Sequence, residues 1–184
     1  MIKEKLDSDG CFLIKVPKQK DIRGFFSRGF CKSWFTNFEV QQTNWSYNRR
    51  LGTLRGFHYQ TGDHREEKII TVVNGGVMLA ILDLNSSAGR PSIQLVHLNS
   101  ITDSIEGEEE DNVVGVKIGK NVAVAFQTLC DDTLVNYLMS ASFNPDSYRG
   151  LNALDPLLGI EWPLPVTVMS DRDRCLPRFS EFCG

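Results

Sequence analysis

Seven consecutive residues, Leu54-Arg55-Gly56-Phe57-His58-Tyr59-Gln60, carry the most chemistry of any short stretch in this chain. His58 is an imidazole whose ordinary pKa of about 6.5 lets it take or give a proton at neutral pH. Arg55 sets a permanent cation just upstream. If the segment is a strand, alternation puts Leu54, Gly56, His58 and Gln60 on one face and Arg55, Phe57 and Tyr59 on the other. A polar set facing into an all-β shell lines a cavity rather than an apolar core. The other two histidines have plainer company: His64 sits in the polar loop TGDHREEK, solvated, and His97 in VHLNS, structural or exposed. The residues alone therefore give a polar pocket, in which a lone imidazole is compatible with a structural role as well as a catalytic one.

The elements that must hold this pocket read as strands. Cys11–Pro17, Glu39–Ser46, Lys68–Val73, Gly76–Leu84, Ile93–Leu98, Val113–Ile118, Val122–Thr128 and Thr133–Met139 are short and rich in Val, Ile, Leu and Phe. Gly75-Gly76 and Gly119-Lys120-Asn121 fall where hairpin turns belong. Only Ser27–Phe35 and Pro145–Tyr148 suggest short peripheral helical turns. Many closely spaced short strands predict an all-β fold, an antiparallel sandwich or barrel. No repeat or linker divides residues 1–184, so one domain is expected. The segment from Ser170 onward is polar and is expected to lie across the surface.

Composition limits the function. A chain of 184 residues with 41% hydrophobic and 23% charged residues is ordinary for a globular protein. A formal net charge of −3 argues against a nucleic-acid partner. The N-terminus lacks the apolar stretch of a secretory signal, and no apolar run approaches the roughly 20 residues of a membrane span. Cys11, Cys31, Cys130, Cys175 and Cys183 are scattered without a CxxC pair, which predicts reduced thiols in a cytoplasmic protein and no zinc site.

Five motifs in order give the chain a family resemblance. Asp21-Ile22-Arg23-Gly24-Phe25-Phe26 looks like DxRGxF, and Gln42-Thr43-Asn44-Trp45-Ser46 like QxNxS. Leu54–Gln60 looks like LRGLHYQ, and Glu67-Lys68-Ile69-Ile70 like a KLV segment. Leu154-Asp155-Pro156 with Ile160-Glu161-Trp162-Pro163 looks like NDP…IxWP. From about Asp21 to Asp173 the sequence resembles the dTDP-4-dehydrorhamnose 3,5-epimerase family. The resemblance implies a cupin-like jelly roll, a homodimer, a nucleoside-diphosphate 4-keto-6-deoxy sugar as substrate, and neither cofactor nor metal. It implies proton removal and return at C3, C5 or both, where the C4 carbonyl accepts the resulting charge.

Roles follow from the matched positions. His58 resembles the general base, Asp155 the carboxylate that fixes its tautomer, Lys68 the cation that stabilises the enolate, and Tyr137 the acid on the opposite face. Arg23 and Arg55 match diphosphate-binding positions, while Gln42, Asn44, Gln60 and Phe143 match substrate-side positions. Arg23 and Phe26 would reach the partner subunit's site.

The pattern also breaks. Val124 stands where the family has a pocket histidine, with Gly119 and Asn121 replacing the proline and glycine of its turn. Leu79 replaces a pocket aspartate, Phe143 a tyrosine, and Arg28 a glutamate on the nucleotide-base side. These changes imply an epimerase of altered scope, acting on one carbon or on another sugar. Two alternatives stay open, a non-catalytic nucleotide-sugar-binding relative and a 3,4-ketoisomerase on the same scaffold.

Overall fold

The computed structural model describes residues 1–86, 91–102 and 112–181. Two antiparallel sheets face each other, with strands numbered along the chain. One has the order β1 (Ile2–Lys5), β2 (Phe12–Pro17), β10 (Asn112–Ile118), β7 (Lys68–Asn74), β12 (Thr133–Met139), β5 (Gln42–Asn48). The other runs β13 (Tyr148–Gly150), β6 (Leu54–Gln60), β11 (Val122–Thr128), β8 (Gly76–Asp83), β9 (Ser92–Asn99). A separate hairpin joins β3 (Gln19–Asp21) to β4 (Gly24–Phe26). The expected all-β, cupin-like sandwich is what the chain forms; the eight apolar segments expected as strands are strands to within three residues, while β1, β3, β4 and β13 were not expected.

The apolar runs of β8 and β11 follow from burial on both faces. Val77, Leu79 and Ile81 of β8, with Val122, Val124 and Phe126 of β11, enter the layer between the sheets. The intervening Ala80, Leu82, Ala123 and Ala125 pack outward beneath Leu151, Leu158 and Phe179. A strand covered on both sides needs apolar residues at every position, so alternation disappears. Each fully buried Leu, Ile, Val or Phe contributes about 1.5–3 kcal/mol. Val124 and Leu79, the replacements for a polar pair, both belong to the inter-sheet layer.

Alternation along β6 is broken by a bulge. Val124 pairs with His58 but Phe126 pairs with Arg55, so Ala125 alone faces both Gly56 and Phe57. The extra residue reverses the phase, and Arg55 shares the cavity face with His58 instead of opposing it, as simple alternation predicted. Glycine is required at the bulge. Gly56 has φ +107°, and a Cβ there would lie 2.5 Å from the Val124 carbonyl oxygen and 2.7 Å from the Ala125 Cα.

Three local expectations need correction. Gly75-Gly76 and Gly119-Lys120-Asn121 do not close hairpins, since they carry the chain from β7 to β8 and from β10 to β11, strands of different sheets. Pro145–Ser147 is a turn leading into β13, not a helical turn, while the expected helical stretch at 27–35 is reduced to the 3-10 turn Lys32–Trp34. The segment from Ser170 does not simply lie across the surface. Its α-helical turn, α1 (Asp171–Arg174), buries Asp173, and Phe179, which opens a 3-10 turn beyond it, is fully enclosed. Both find partners inside, the carboxylate a polar one and the ring an apolar one. Cys183 lies outside the described residues, and Cys11, Cys31, Cys130 and Cys175 are free thiols.

Candidate active site

A cavity of about 390 Å³ opens between the sheets, within the size range of small-ligand sites. One wall comes from β6 and β11, with Arg55, His58, Gln60, Val124 and Phe126. The facing wall comes from β5, β7 and β12, with Gln42, Asn44, Lys68, Tyr137 and Met139. Glu66, Phe143, Tyr148 and Arg172, with Trp45 and Ser46 of β5, complete it. Of the catalytic and substrate-side positions expected from sequence, the cavity gathers His58, Tyr137, Lys68, Gln42, Asn44, Arg55, Gln60 and Phe143.

Asp155 is not among them. Its Oδ1 accepts from the Leu157 amide at 3.0 Å, capping the 3-10 turn Pro156–Leu158, and its Oδ2 accepts from the Phe179 amide at 2.7 Å. Both oxygens are spent on backbone outside the cavity, so this carboxylate ties the C-terminal segment down. The partner of His58 is Asp173, whose Oδ1 lies 2.9 Å from His58 Nε2. Its Oδ2 accepts from the Gly56 amide at the bulge, at 3.2 Å. The Ser170 hydroxyl caps α1 by accepting from the Asp173 amide at 3.1 Å, fixing the backbone from which the carboxylate reaches inward. Burial pushes the Asp173 pKa up, but the hydrogen bond and charge of His58, then Gly56 and Ser170, outweigh it and hold the carboxyl below its ordinary value.

The contact to Asp173 sets the imidazole's tautomer. With the proton on Nε2 donated to the carboxylate, Nδ1 carries the lone pair and can act as a base. Tyr148 packs beside the imidazole, ring centroids 5.3 Å apart, and Phe143 meets Tyr148 edge-on at 5.3 Å. Arg172, next to Asp173 on α1, lies 4.4 Å over the face of Tyr148. Burial first, reinforced by the carboxylates of Asp173 and Glu66 against Arg172, pushes the Tyr148 phenol up to about 12. Burial likewise raises Tyr137 well above the ordinary phenol value, with Arg55 opposing it. Both phenols are protonated donors at neutral pH.

Lys68 bridges the sheets. From β7 its ammonium donates to the His58 carbonyl oxygen on β6 at 3.2 Å, and it pairs with Glu66 Oε1 at 3.0 Å. Arg55 Nε donates to the buried Asn48 Oδ1 at 2.6 Å, which aims the guanidinium while its terminal nitrogens have no partner among the described residues. Gln60 is spent on architecture: its amide donates to the carbonyls of His64 and Ser142 and accepts from the Asn144 amide, holding the loop that carries Phe143. Gln42 bonds Asn44 at 2.8 Å and the Phe143 amide at 2.9 Å.

Arg23 and Phe26 stand apart on the β3–β4 hairpin. Arg23 is exposed and paired with Asp21, and Phe26 is 67% exposed. Arg28 shares a second recess with Phe26 and Trp34. His97 is exposed, and His64 is exposed with Nε2 3.0 Å from the side-chain Nδ2 of Asn144. Among the described residues no cluster of three or more His, Cys, Asp or Glu could hold a metal. Among the described residues no helix is long and apolar enough to cross a membrane.

Sequence reasoning missed Asp173, Tyr148, Arg172 and Glu66. Placing the polar stretch from Ser170 onward across the surface left Asp173 without a role. Tyr148 and Glu66 carry no local signal, because contacts made across the fold place them.

A sandwich whose cavity sets a carboxylate-held imidazole opposite a phenol defines an enzyme of proton transfer. Comparison with known proteins gives the family. The family model described as dTDP-4-dehydrorhamnose 3,5-epimerase matches residues 5–181, and the chain belongs to that family of isomerases. It is 30% identical over 187 residues to the dTDP-4-dehydrorhamnose 3,5-epimerase of Mycolicibacterium smegmatis, covering 98% of this chain and 87% of that protein. The RmlC epimerase of Mycobacterium tuberculosis superposes with a TM-score of 0.83 at 29% identity, covering 97% of this chain and 88% of that one. ChmJ, a 3'-monoepimerase from Streptomyces bikiniensis solved with dTDP-quinovose, gives 0.79 at 27% identity over 95% and 86% of the two chains.

Proposed function

We propose that this isomerase epimerises a nucleoside-diphosphate 4-keto-6-deoxy sugar in deoxysugar biosynthesis, with His58 as base and Tyr137 as acid. The observation that carries the reading is His58 on one sheet, held by Asp173 of α1, facing Tyr137 on the other sheet across one cavity. His58 Nδ1 takes the proton from a carbon beside the ketone, and the electron pair delocalises onto the carbonyl oxygen. Lys68 donates to that oxygen as charge develops, where a fixed cation is most effective. Tyr137 then delivers a proton to the opposite face, inverting the carbon. The sugar ends with the proton count it began with, and solvent exchange resets the two side chains. Asp173 stabilises the imidazolium and keeps the ring oriented.

Arg55 and Arg172 offer guanidinium forks for the diphosphate, and Gln42, Asn44 and Phe143 shape the sugar-facing wall. Arg23 and Phe26, projecting on an exposed hairpin, suit delivery to a second subunit's cavity, so the working unit is a homodimer in the cytoplasm. Val124 supports a narrower scope. It pairs with His58 across the strands and puts an apolar side chain into the cavity wall. A site with one base and one acid so arranged suits inversion at one carbon.

Deuterium wash-in tests this directly. The protein is incubated in D₂O with a 4-keto-6-deoxy nucleotide sugar, and C3 and C5 are read by NMR. Label at one carbon supports the narrowed reaction and label at both the full one. No label with dTDP-, CDP-, UDP- and GDP-linked sugars would leave a binding protein.

A further inference from the structure

The pair Glu66–Lys68 has more hydrogen-bonding capacity than the protein uses. Glu66 is 5% exposed and lines the cavity. Its Oε1 is engaged by Lys68, while Oε2 is buried with no hydrogen-bond partner among the described residues. A buried carboxylate oxygen without a donor is costly and rarely left so unless something else supplies the donor. Lys68 has three N–H groups, of which the His58 carbonyl and Glu66 Oε1 take two. One donor and one acceptor are therefore left over, on two side chains that are already held together and both line the cavity.

We infer that Glu66 and Lys68 form a two-point clamp for an α-hydroxy ketone, with Glu66 Oε2 accepting from the hydroxyl beside the carbonyl that Lys68 contacts. A ketone oxygen and the hydroxyl on the next carbon present an acceptor and a donor side by side, the complement of what the pair has left. Charge on the acceptor makes this hydrogen bond a strong one. The clamp makes Glu66 a specificity-determining residue. It fixes which neighbour of the carbonyl lies on the Glu66 side, and so which α-carbon is offered to His58. The surviving hydroxyl of the enol intermediate stays in reach, because flattening the carbon moves its oxygen little. Glu66 also balances the Lys68 charge, so the ammonium enters the closed site as part of a pair, not as a lone buried cation. The inference rests on the epimerase reading above and specifies its substrate as one that keeps the hydroxyl at C3.

The test compares a dTDP-linked 4-keto-6-deoxyglucose with its 3-deoxy counterpart, reading deuterium wash-in at either α-carbon for wild type, Glu66→Gln and Glu66→Asp. Removing the hydroxyl alters the acidity of the ring carbons equally for all three proteins, so the change in preference isolates the contact. Wild type is expected to favour the hydroxylated substrate by roughly 100-fold in kcat/KM, and Glu66→Gln by only about 5-fold. Both substrates lose the charge beside Lys68, but the hydroxylated one also loses its contact, so the loss should fall more heavily on it. Glu66→Asp keeps the charge beside Lys68 but withdraws the oxygen, and should lose discrimination likewise; it serves as the readout if the glutamine variant does not fold. Label with an unchanged preference in the folded variant overturns the clamp and leaves the epimerase standing. No label in wild type with either substrate overturns both.

Discussion

The carboxylate of Asp173 meets the imidazole of His58 at 2.9 Å across 115 positions of sequence, and its other oxygen takes the Gly56 amide of the same strand. One side chain thus fixes both the ring and the bulge that turns Arg55 toward it. Replacing Asp173 by Asn keeps the size but cannot accept at both oxygens. The wrong imidazole tautomer is then favoured, and kcat should fall about 10²–10⁴-fold with the fold retained. Steady-state kinetics beside circular dichroism checks this; a loss under 10-fold contradicts the role.

The same carboxylate shapes acid stability. Its folded pKa lies below the ordinary 3.8, so its stabilisation is complete above that value and is lost as pH falls through the folded one. Denaturant titrations between about pH 5 and 2 should therefore show a shallower acid decline in Asp173→Asn than in wild type.

Asp155 gives the opposite signature. Asp155→Ala removes a cap and the acceptor for the buried Phe179 amide, and should cost about 2–3 kcal/mol. Its kcat per folded molecule should stay within about threefold of wild type, since nothing of Asp155 enters the cavity. Chemical denaturation and kinetics on the same sample separate the two effects.

The two aspartates show where the sequence was legible and where it was not. The strands were readable because β8 and β11 are saturated with apolar residues and flanked by turn formers. The cavity walls were readable through His58, Lys68 and Tyr137, whose order along the chain matches a family pattern. The choice of carboxylate was not, although Asp155-Pro156 is itself a cap signal of the kind that precedes a helical turn. Which acid reaches His58 depends on how the last segment folds back, and that is decided by Phe179 burying itself far from any local cue. Arg55 was misplaced for a related reason. Alternation assumes a regular strand, and the glycine that allows the bulge looks like any other until β11 lies against it.

Gly56→Ala tests that close approach. The added methyl would collide with the Val124 carbonyl and the Ala125 backbone, at a backbone angle alanine resists. A loss of about 2–4 kcal/mol is expected from thermal or urea unfolding. Activity should fall too, because the bulge also sets Arg55 and the amide that Asp173 binds.

Tyr148 predicts alkaline behaviour. Its phenol, raised from 10.0 to about 12, holds its proton in the folded state where the unfolded chain would lose it. Stability from this group is complete below about pH 10 and declines as pH rises toward 12. Tyr148→Phe should flatten that decline, and absorbance titration near 295 nm (the phenolate band) should lose a late-titrating group.

The most direct test of the central claim is the rate at which solvent deuterium enters the sugar carbon beside the ketone, compared between wild type and His58→Asn. The account predicts loss of at least about 10³-fold in the variant, with nucleotide-sugar binding retained. Exchange at a rate near wild type in His58→Asn would show that another group removes the proton.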